Sequence, residues 1–325
     1  MFTIAVSGTH GKTTTTAMIG HILKKAGFDP TVVVGSKILG ENTNFLAGKS
    51  KYLVVEACEY RRSFLNLSPS ILVITNIEAD HLDYYKDIED IKSAFRELTL
   101  KVPADGFVIC NPNDENIADV IKDIKAKVID CQEFFDKNLK LKVPGVHNKK
   151  DASCAMAVAS ILNIQKEDVE KSLAEFPGTW RRFEYKGKLS SGAIVYDDYA
   201  HHPVEIYATL LGFRELYKKE EGYRIIVLFQ PHLFSRTKAL LPEFAESLRE
   251  ADVALILPIY FAREENDGSI SSFTLAEKIG TKAKAFSDFA EAEEYIRGMD
   301  LHEKDILVTM GAGEAYKIGD ALLSN

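Results

Sequence analysis

At 325 residues the chain is longer than one ordinary core requires, which predicts two domains. Its make-up, 46% hydrophobic and 27% charged, is that of a folded globular protein, and no apolar run reaches the roughly 18–20 residues of a membrane span. A net charge of −8 argues against a nucleic-acid surface, because a phosphate backbone needs a cationic face. Cys58, Cys110, Cys131 and Cys154 are widely spaced with no C-x-x-C pair, which speaks against a zinc site or a disulfide framework. They fit a reducing cytoplasm. The start, MFTIAVSGTHGK, lacks the basic and small-residue features of a signal peptide.

In chain order, Phe2–Val6 reads as a buried strand, followed by a turn and a helix from Lys12 to Ala26. Thr31–Val34, Tyr52–Glu56, Ile71–Thr75 and Phe107–Cys110 read as further short strands, with helices at Ile88–Thr99 and Ile117–Ile124. An Ala-rich helix, Ala152–Leu162, and another at Lys166–Glu175 close the first half. Pro, Gly, Thr and Trp break the pattern over Pro177–Arg182, where a domain boundary is expected. Beyond it, strands are expected at Ala193–Tyr196, Arg224–Phe229, Val253–Leu257, Ala283–Ala285 and Asp305–Met310, with helices between. Strand–helix alternation implies parallel strands with right-handed crossovers. The expected fold is α/β, with a mostly parallel sheet domain over residues 1–180 and a Rossmann-like α/β domain over 181–325.

The segment Gly8-Thr9-His10-Gly11-Lys12-Thr13-Thr14 follows a strand and opens a helix. Small residues let backbone N–H groups converge on a phosphate, and the helix start adds partial positive charge. Lys12 can reach the β- and γ-phosphates, and the Thr13 hydroxyl can ligate magnesium. The usual spacing places glycine where Val6 stands, so this is a shortened P-loop. A plain glycine turn ahead of an amphipathic helix is the competing reading.

Two further loops leave the carboxyl ends of strands, where open parallel sheets bind ligands. Glu56 closes the run Val54-Val55-Glu56 and continues into Ala57-Cys58-Glu59. The other loop is Thr75-Asn76-Ile77-Glu78-Ala79-Asp80-His81-Leu82-Asp83. A carboxylate beside a phosphate loop suits magnesium, which prefers hard oxygen donors. His81 taken alone is more often a structural histidine than a ligand.

Together with Pro144-Gly145-Val146-His147-Asn148, Trp180-Arg181-Arg182-Phe183, Asp197-Asp198-Tyr199-Ala200-His201-His202-Pro203, Gln230-Pro231-His232-Leu233-Phe234-Ser235-Arg236-Thr237 and Met310-Gly311-Ala312-Gly313, these motifs resemble the Mur ligases of peptidoglycan synthesis, and within them the alanine-adding branch. The resemblance runs through nearly the whole chain in the family's order. It implies an ATP-dependent ligase with ATP and Mg2+ as cofactors and UDP-N-acetylmuramate and L-alanine as substrates, acting through an acyl phosphate in the cytoplasm, with no nucleic-acid or membrane partner.

Carried over residue by residue, the resemblance implies that Gly8, Thr9, His10, Gly11, Lys12, Thr13 and Thr14 cradle the phosphates. Thr13, Glu56 and His81 would ligate metal, and Lys12, Glu56, His81 and His201 would serve the chemistry. His147 and Asn148 match the adenine segment, although Asn148 also reads as a helix N-cap. Arg181 or Arg182 would meet phosphate, and Asp198 the ribose hydroxyls. Tyr199, His201, His232 and Arg236 match the amino-acid site, where an arginine fork suits a carboxylate. Without the resemblance, His201-His202-Pro203 is a polar turn before a helix and Arg236 a solvated helix residue. Cys58 stands where the family usually has Asp, and Asp151 where it commonly has Asn. Mur ligases carry a preceding domain of roughly one hundred residues for the UDP, and this sequence opens at the strand before the phosphate loop, so that domain is expected to be missing. Other readings that the residues allow are a ligase recycling murein peptides and an ATP-binding module without turnover.

Overall fold

The computed structural model describes residues 1–81, 84–262, 264–266 and 268–324. The chain forms two compact units, Met1–Trp180 and Arg181–Asn325.

The first unit is built on seven strands: β1 (Phe2–Ser7), β2 (Thr31–Ile38), β3 (Thr43–Leu46), β4 (Tyr52–Glu56), β5 (Ile71–Ile74), β6 (Phe107–Cys110) and β7 (Lys127–Asp130). Their order is β3-β2-β4-β1-β5-β6-β7, parallel except for the antiparallel edge strand β3. The central strands are continuous apolar runs because helices cover both faces, leaving no alternation to read. Helix Ile88–Thr99 shows how the sequence builds one layer. Asp87 caps it by accepting from Asp90 N–H, and Ile91, Ala94, Phe95 and Leu98 form the buried i, i+3, i+4, i+7 stripe. Phe95 meets Phe64 edge to face at 5.2 Å beneath the sheet. Helix Lys12–Lys25 covers β1, β2 and β4 and packs on helix Val146–Ile161.

This strand order positions the site. β4 and β5 flank β1, with Val6 opposite Glu56 and Ser7 opposite Ile74. The phosphate loop, the Glu56 loop and the Thr75–His81 segment therefore leave adjacent strands at the same edge. Leu82 and Asp83 of that third motif lie outside the described residues.

The second unit holds β8 (Glu184–Lys188), β9 (Ile194–Asp198), β10 (Arg224–Phe229), β11 (Val253–Ile256), β12 (Ala283–Ala285) and β13 (Asp305–Met310), ordered β12-β11-β10-β13-β9-β8. All pairs are parallel except β8 with β9. Met310 lies opposite both Asp198 and Phe229, so three further motifs leave neighbouring strands at one edge.

Three strands escape the sequence pattern: β3, β7 and β8. Each lies at a sheet edge and carries polar or charged residues such as Asn44, Lys127, Glu184 and Lys186, so none shows a sustained apolar run. The Ala-rich helix starts at Val146, six residues before Ala152, because the polar run His147–Asp151 hides its opening turns. Gly145, at φ 102, is its N-cap, so Asn148 is not.

Candidate functional site

The phosphate loop is shaped by its glycines and held by its neighbour. Gly8 has φ 137, and a Cβ there would lie 2.0 Å from Thr75 Oγ1. Gly11 has φ 81, and a Cβ there would lie 2.3 Å from Asp151 Oδ1, so that buried carboxylate sits against the loop. The Thr75–Glu78 segment supplies the scaffold. Thr9 N–H donates to Asn76 O at 3.0 Å, His10 N–H to Asn76 Oδ1 at 2.9 Å, and Glu78 N–H to Thr9 Oγ1 at 2.8 Å. His10 Nε2 lies 3.5 Å from Glu78 Oε2. Helix Lys12–Lys25 then begins with no side-chain cap and no acid in its first turn, while Thr13 and Thr14 are buried within it. An uncapped, glycine-led helix start leaves N–H groups for an anion, so the loop fits a phosphate.

Lys12 folds back over this loop. Its Nζ donates to Gly8 O at 2.6 Å, Thr9 O at 2.9 Å and Glu59 Oε1 at 3.0 Å. Thr13 Oγ1 donates to the Glu56 carboxylate, 3.0 Å from each oxygen, and Gly35 N–H donates to Glu56 Oε2 at 2.5 Å. Among the described residues, no group of three or more His, Cys, Asp and Glu side chains could hold a metal. Magnesium does not need one, because phosphate oxygens and water commonly complete its octahedron around one or two protein ligands. The hydroxyl–carboxylate pair of Thr13 and Glu56 fits that ion.

His81 faces Glu59, the carboxylate that Lys12 also bonds. Its Nε2 lies 3.5 Å from Glu59 Oε1 and 3.9 Å from Asp80 Oδ2, and its ring packs on Tyr60 at 5.0 Å. Its φ of 53 is a left-handed conformation costing a non-glycine residue about 1–3 kcal/mol, a strain that concentrates at functional sites. Glu59 is thus the residue that the sequence reading passes over. It is 3% exposed and joins Lys12 to His81, and among the described residues its buried Oε2 has no side-chain or backbone hydrogen-bond partner. Burial alone would raise its pKa, but Lys12 and then His81 outweigh that and hold it below the ordinary glutamate value. Its only sequence signal was its place three positions after Glu56. Neighbouring Cys58 has its thiol pKa raised by desolvation and by the charge of Glu59.

In the segment expected to meet adenine, Asn148 Nδ2 donates to Pro144 O at 2.5 Å and lies 3.0 Å from His147 Nε2. The pair is thus ordered by the turn that starts the helix.

In the second unit, Arg181 is 3% exposed, and all three of its nitrogens have acceptors there. Nε donates to Asp197 Oδ2 at 2.6 Å, and the terminal nitrogens to Gly313 O at 2.9 Å and Gly311 O at 2.6 Å. Its neighbour Arg182 is half-buried, 5.1 Å over the Tyr199 ring. Asp198 accepts from Phe183 N–H at 2.7 Å and Ala200 N–H at 2.8 Å, which orders the segment bearing Tyr199 and His201. Glu205 accepts from His201 N–H at 3.0 Å and lies 3.1 Å from its Nδ1, so the imidazole is oriented by the start of helix Pro203–Leu216. The His201 ring meets Tyr199 at 5.4 Å and His232 at 6.0 Å, and His232 stacks on Tyr260. Tyr199, His201 and His232 therefore form one cluster. Arg236 stands on the short helix Phe234–Ala239 that follows His232.

Comparison with known proteins places these motifs in a family. Residues 6–153 match the Mur ligase middle domain, and residues 181–313 match the Mur ligase, glutamate ligase domain. A UDP-N-acetylmuramate–L-alanine ligase of Caldicellulosiruptor saccharolyticus is 43% identical over 350 residues, taking in 98% of this chain and 76% of that one. The crystal structure of UDP-N-acetylmuramate–alanine ligase from Thermotoga maritima superposes with a TM-score of 0.80 at 27% identity, covering 99% of this chain and 74% of that one. A bifunctional folylpolyglutamate synthase/dihydrofolate synthase from Yersinia pestis, solved with AMPPNP and Mn ion, shares the fold at 17% identity and a TM-score of 0.70, covering 99% and 88%.

Proposed function

The chain belongs to the Mur ligase family and is a ligase, and from that premise we propose that it joins L-alanine to the carboxylate of UDP-N-acetylmuramate at the expense of ATP. The work would take place in the cytoplasm, as a step of peptidoglycan synthesis. The observation that carries the reading is the uncapped phosphate loop with Lys12 and the Thr13–Glu56 pair beside it. The identity to a ligase of that name along 98% of the chain supports the choice of substrates. Residues 1–180 then act as the ATP-binding domain and residues 181–325 as the amino-acid-binding domain.

A carboxylate oxygen attacks the γ-phosphorus, the bond to ADP breaks, and an acyl phosphate results. The alanine amine then attacks the acyl carbon, the bond to phosphate breaks, and the amine loses its proton. Bringing two anions together is the main barrier, so cations and N–H dipoles between them do most of the catalysis. Thr13 and Glu56 would hold magnesium, which when bound would supply charge neutralisation at the phosphates. Lys12 exchanges Glu59 and the loop carbonyls for phosphate oxygens, while the start of its helix receives the transferred charge. His147 and Asn148 meet adenine. Arg182, half-buried over Tyr199, is better placed for a phosphate than Arg181, whose nitrogens are engaged. In the amino-acid site Arg236 takes the carboxylate of alanine, and His201, oriented by Glu205, takes the amine proton.

ADP release, with UDP-N-acetylmuramate and L-alanine each omitted in turn, tests the reading. Release should require both substrates, and Lys12→Ala should lower it by about 10²–10³-fold, the scale of losing one charge-stabilising contact. Release by Lys12→Ala at the parent rate would refute the assignment, as would turnover independent of both substrates.

A further inference from the structure

The carboxylate of Glu56 is held from two sides, by the Thr13 hydroxyl and by the backbone of Gly35. Gly35 lies where β2 has run out of partners on β4: the parallel ladder ends at Val33 opposite Val55, and pairing with β3 resumes at Ile38 after an irregularity. Its N–H therefore finds the side chain of Glu56 in place of a strand carbonyl. Gly35 is not among the glycines with positive φ, so its backbone is open to any residue. The space is not. A Cβ there would lie 2.8 Å from Oε1, 2.8 Å from Oε2 and 3.0 Å from Cδ of Glu56, and those are its three nearest atoms.

We propose that Gly35 is a positioning residue of the metal site, its N–H fixing Glu56 Oε2 and its missing side chain leaving the room that aims the carboxylate at the ion Thr13 also faces. The inference rests on the reading of Glu56 as a magnesium ligand. A methyl group at 35 must push the carboxylate out to an ordinary carbon–oxygen contact of about 3.3 Å or more, a shift of about half an ångström. Metal–ligand distances in genuine sites hold to within about 0.2 Å. The obstacle is the far end of a flexible side chain, so the fold gives way easily while the site does not.

The test compares Gly35→Ala and Glu56→Gln with the parent by three measurements: melting in EDTA, ATP affinity in EDTA, and Mn2+ affinity by electron paramagnetic resonance with AMPPNP present. Gly35→Ala should melt within about 2 °C of the parent and bind ATP in EDTA unchanged. Its Mn2+ affinity should fall about 10–100-fold, as for the loss of an outer-shell partner. Unchanged Mn2+ affinity in Gly35→Ala, with a loss in Glu56→Gln, overturns the role of Gly35 alone; unchanged affinity in both overturns Glu56 as a ligand. A Gly35→Ala protein that fails to fold, or that loses ATP affinity in EDTA to the same extent, also overturns the proposal, because the obstacle would then be the fold and not the carboxylate.

Discussion

Glu59→Gln separates the charge of the carboxylate from its shape at the point where Lys12 and His81 meet. Both members of the Lys12–Glu59 pair are shielded, with side chains 13% and 4% exposed, so solvent screens it little. Removing one partner of a buried ion pair costs about 3–5 kcal/mol. Here the loss is smaller, because Lys12 keeps Gly8 O and Thr9 O as acceptors and glutamine still offers an oxygen. What disappears is the negative charge that Lys12 bonds and His81 faces, on the scale of a charged hydrogen bond, about 1.5–3 kcal/mol, and we expect about 2 kcal/mol. Trp180 is the single tryptophan and belongs to the first unit, so urea unfolding followed by its fluorescence reports the relevant unit. The pH dependence supplies a second signature. The folded pKa of Glu59 lies below its ordinary value of 4.5, so its contribution is fully present above that value and is lost as pH falls through the folded pKa. The gap between parent and variant should be open at neutral pH and narrow in acid below about pH 4.5. Equal stability at neutral pH would refute the reasoning, and so would a gap that acid leaves undiminished.

Asp197, in the second unit, has the opposite acid response. Burial pushes the Asp197 pKa up to about 6 against the pull of Arg181, so the fold favours the protonated carboxyl. The unfolded chain then binds fewer protons between the ordinary 3.8 and about 6, and stability falls by about 3 kcal/mol as pH rises across that window; Asp197→Asn should remove the slope in calorimetric unfolding. Arg181→Ala strands that carboxylate and the carbonyls of Gly311 and Gly313, costing about 3–5 kcal/mol. Arg182→Ala removes a cation–ring contact worth about 1 kcal/mol or less, so calorimetry of the two variants distinguishes the adjacent arginines.

What was legible in the sequence follows the range over which each residue finds its role. Gly8, Gly11, Lys12 and Thr13 stand next to one another in one loop and helix start, so the pattern was readable there even though Thr75, Asp151, Glu59 and Glu56 hold them from other segments. The central strands were readable for a similar reason: burial on both faces leaves an unbroken β-branched run. The edge strands β3, β7 and β8 were not, because one polar face dilutes the signal without replacing it. Glu59 acquires its place from a lysine 47 positions away, and Gly35 from a glutamate 21 positions away. Those partnerships exist only because crossovers set β2, β4 and β1 side by side, and nothing in the spacing of the residues encodes that order. The arginines at 181 and 182 show the limit at its shortest range. Arg181 and Phe183 both take left-handed φ values, 60 and 51, a local bend that turns one guanidinium into the core and leaves its neighbour half-exposed. Two identical side chains on consecutive residues are therefore distinguished by backbone torsions stabilised from elsewhere, by Asp198 accepting from Phe183 N–H and by the Gly311 and Gly313 carbonyls. The same logic makes Gly35 and Glu59 the informative variants, since their roles rest on the strand order and not on the motifs themselves.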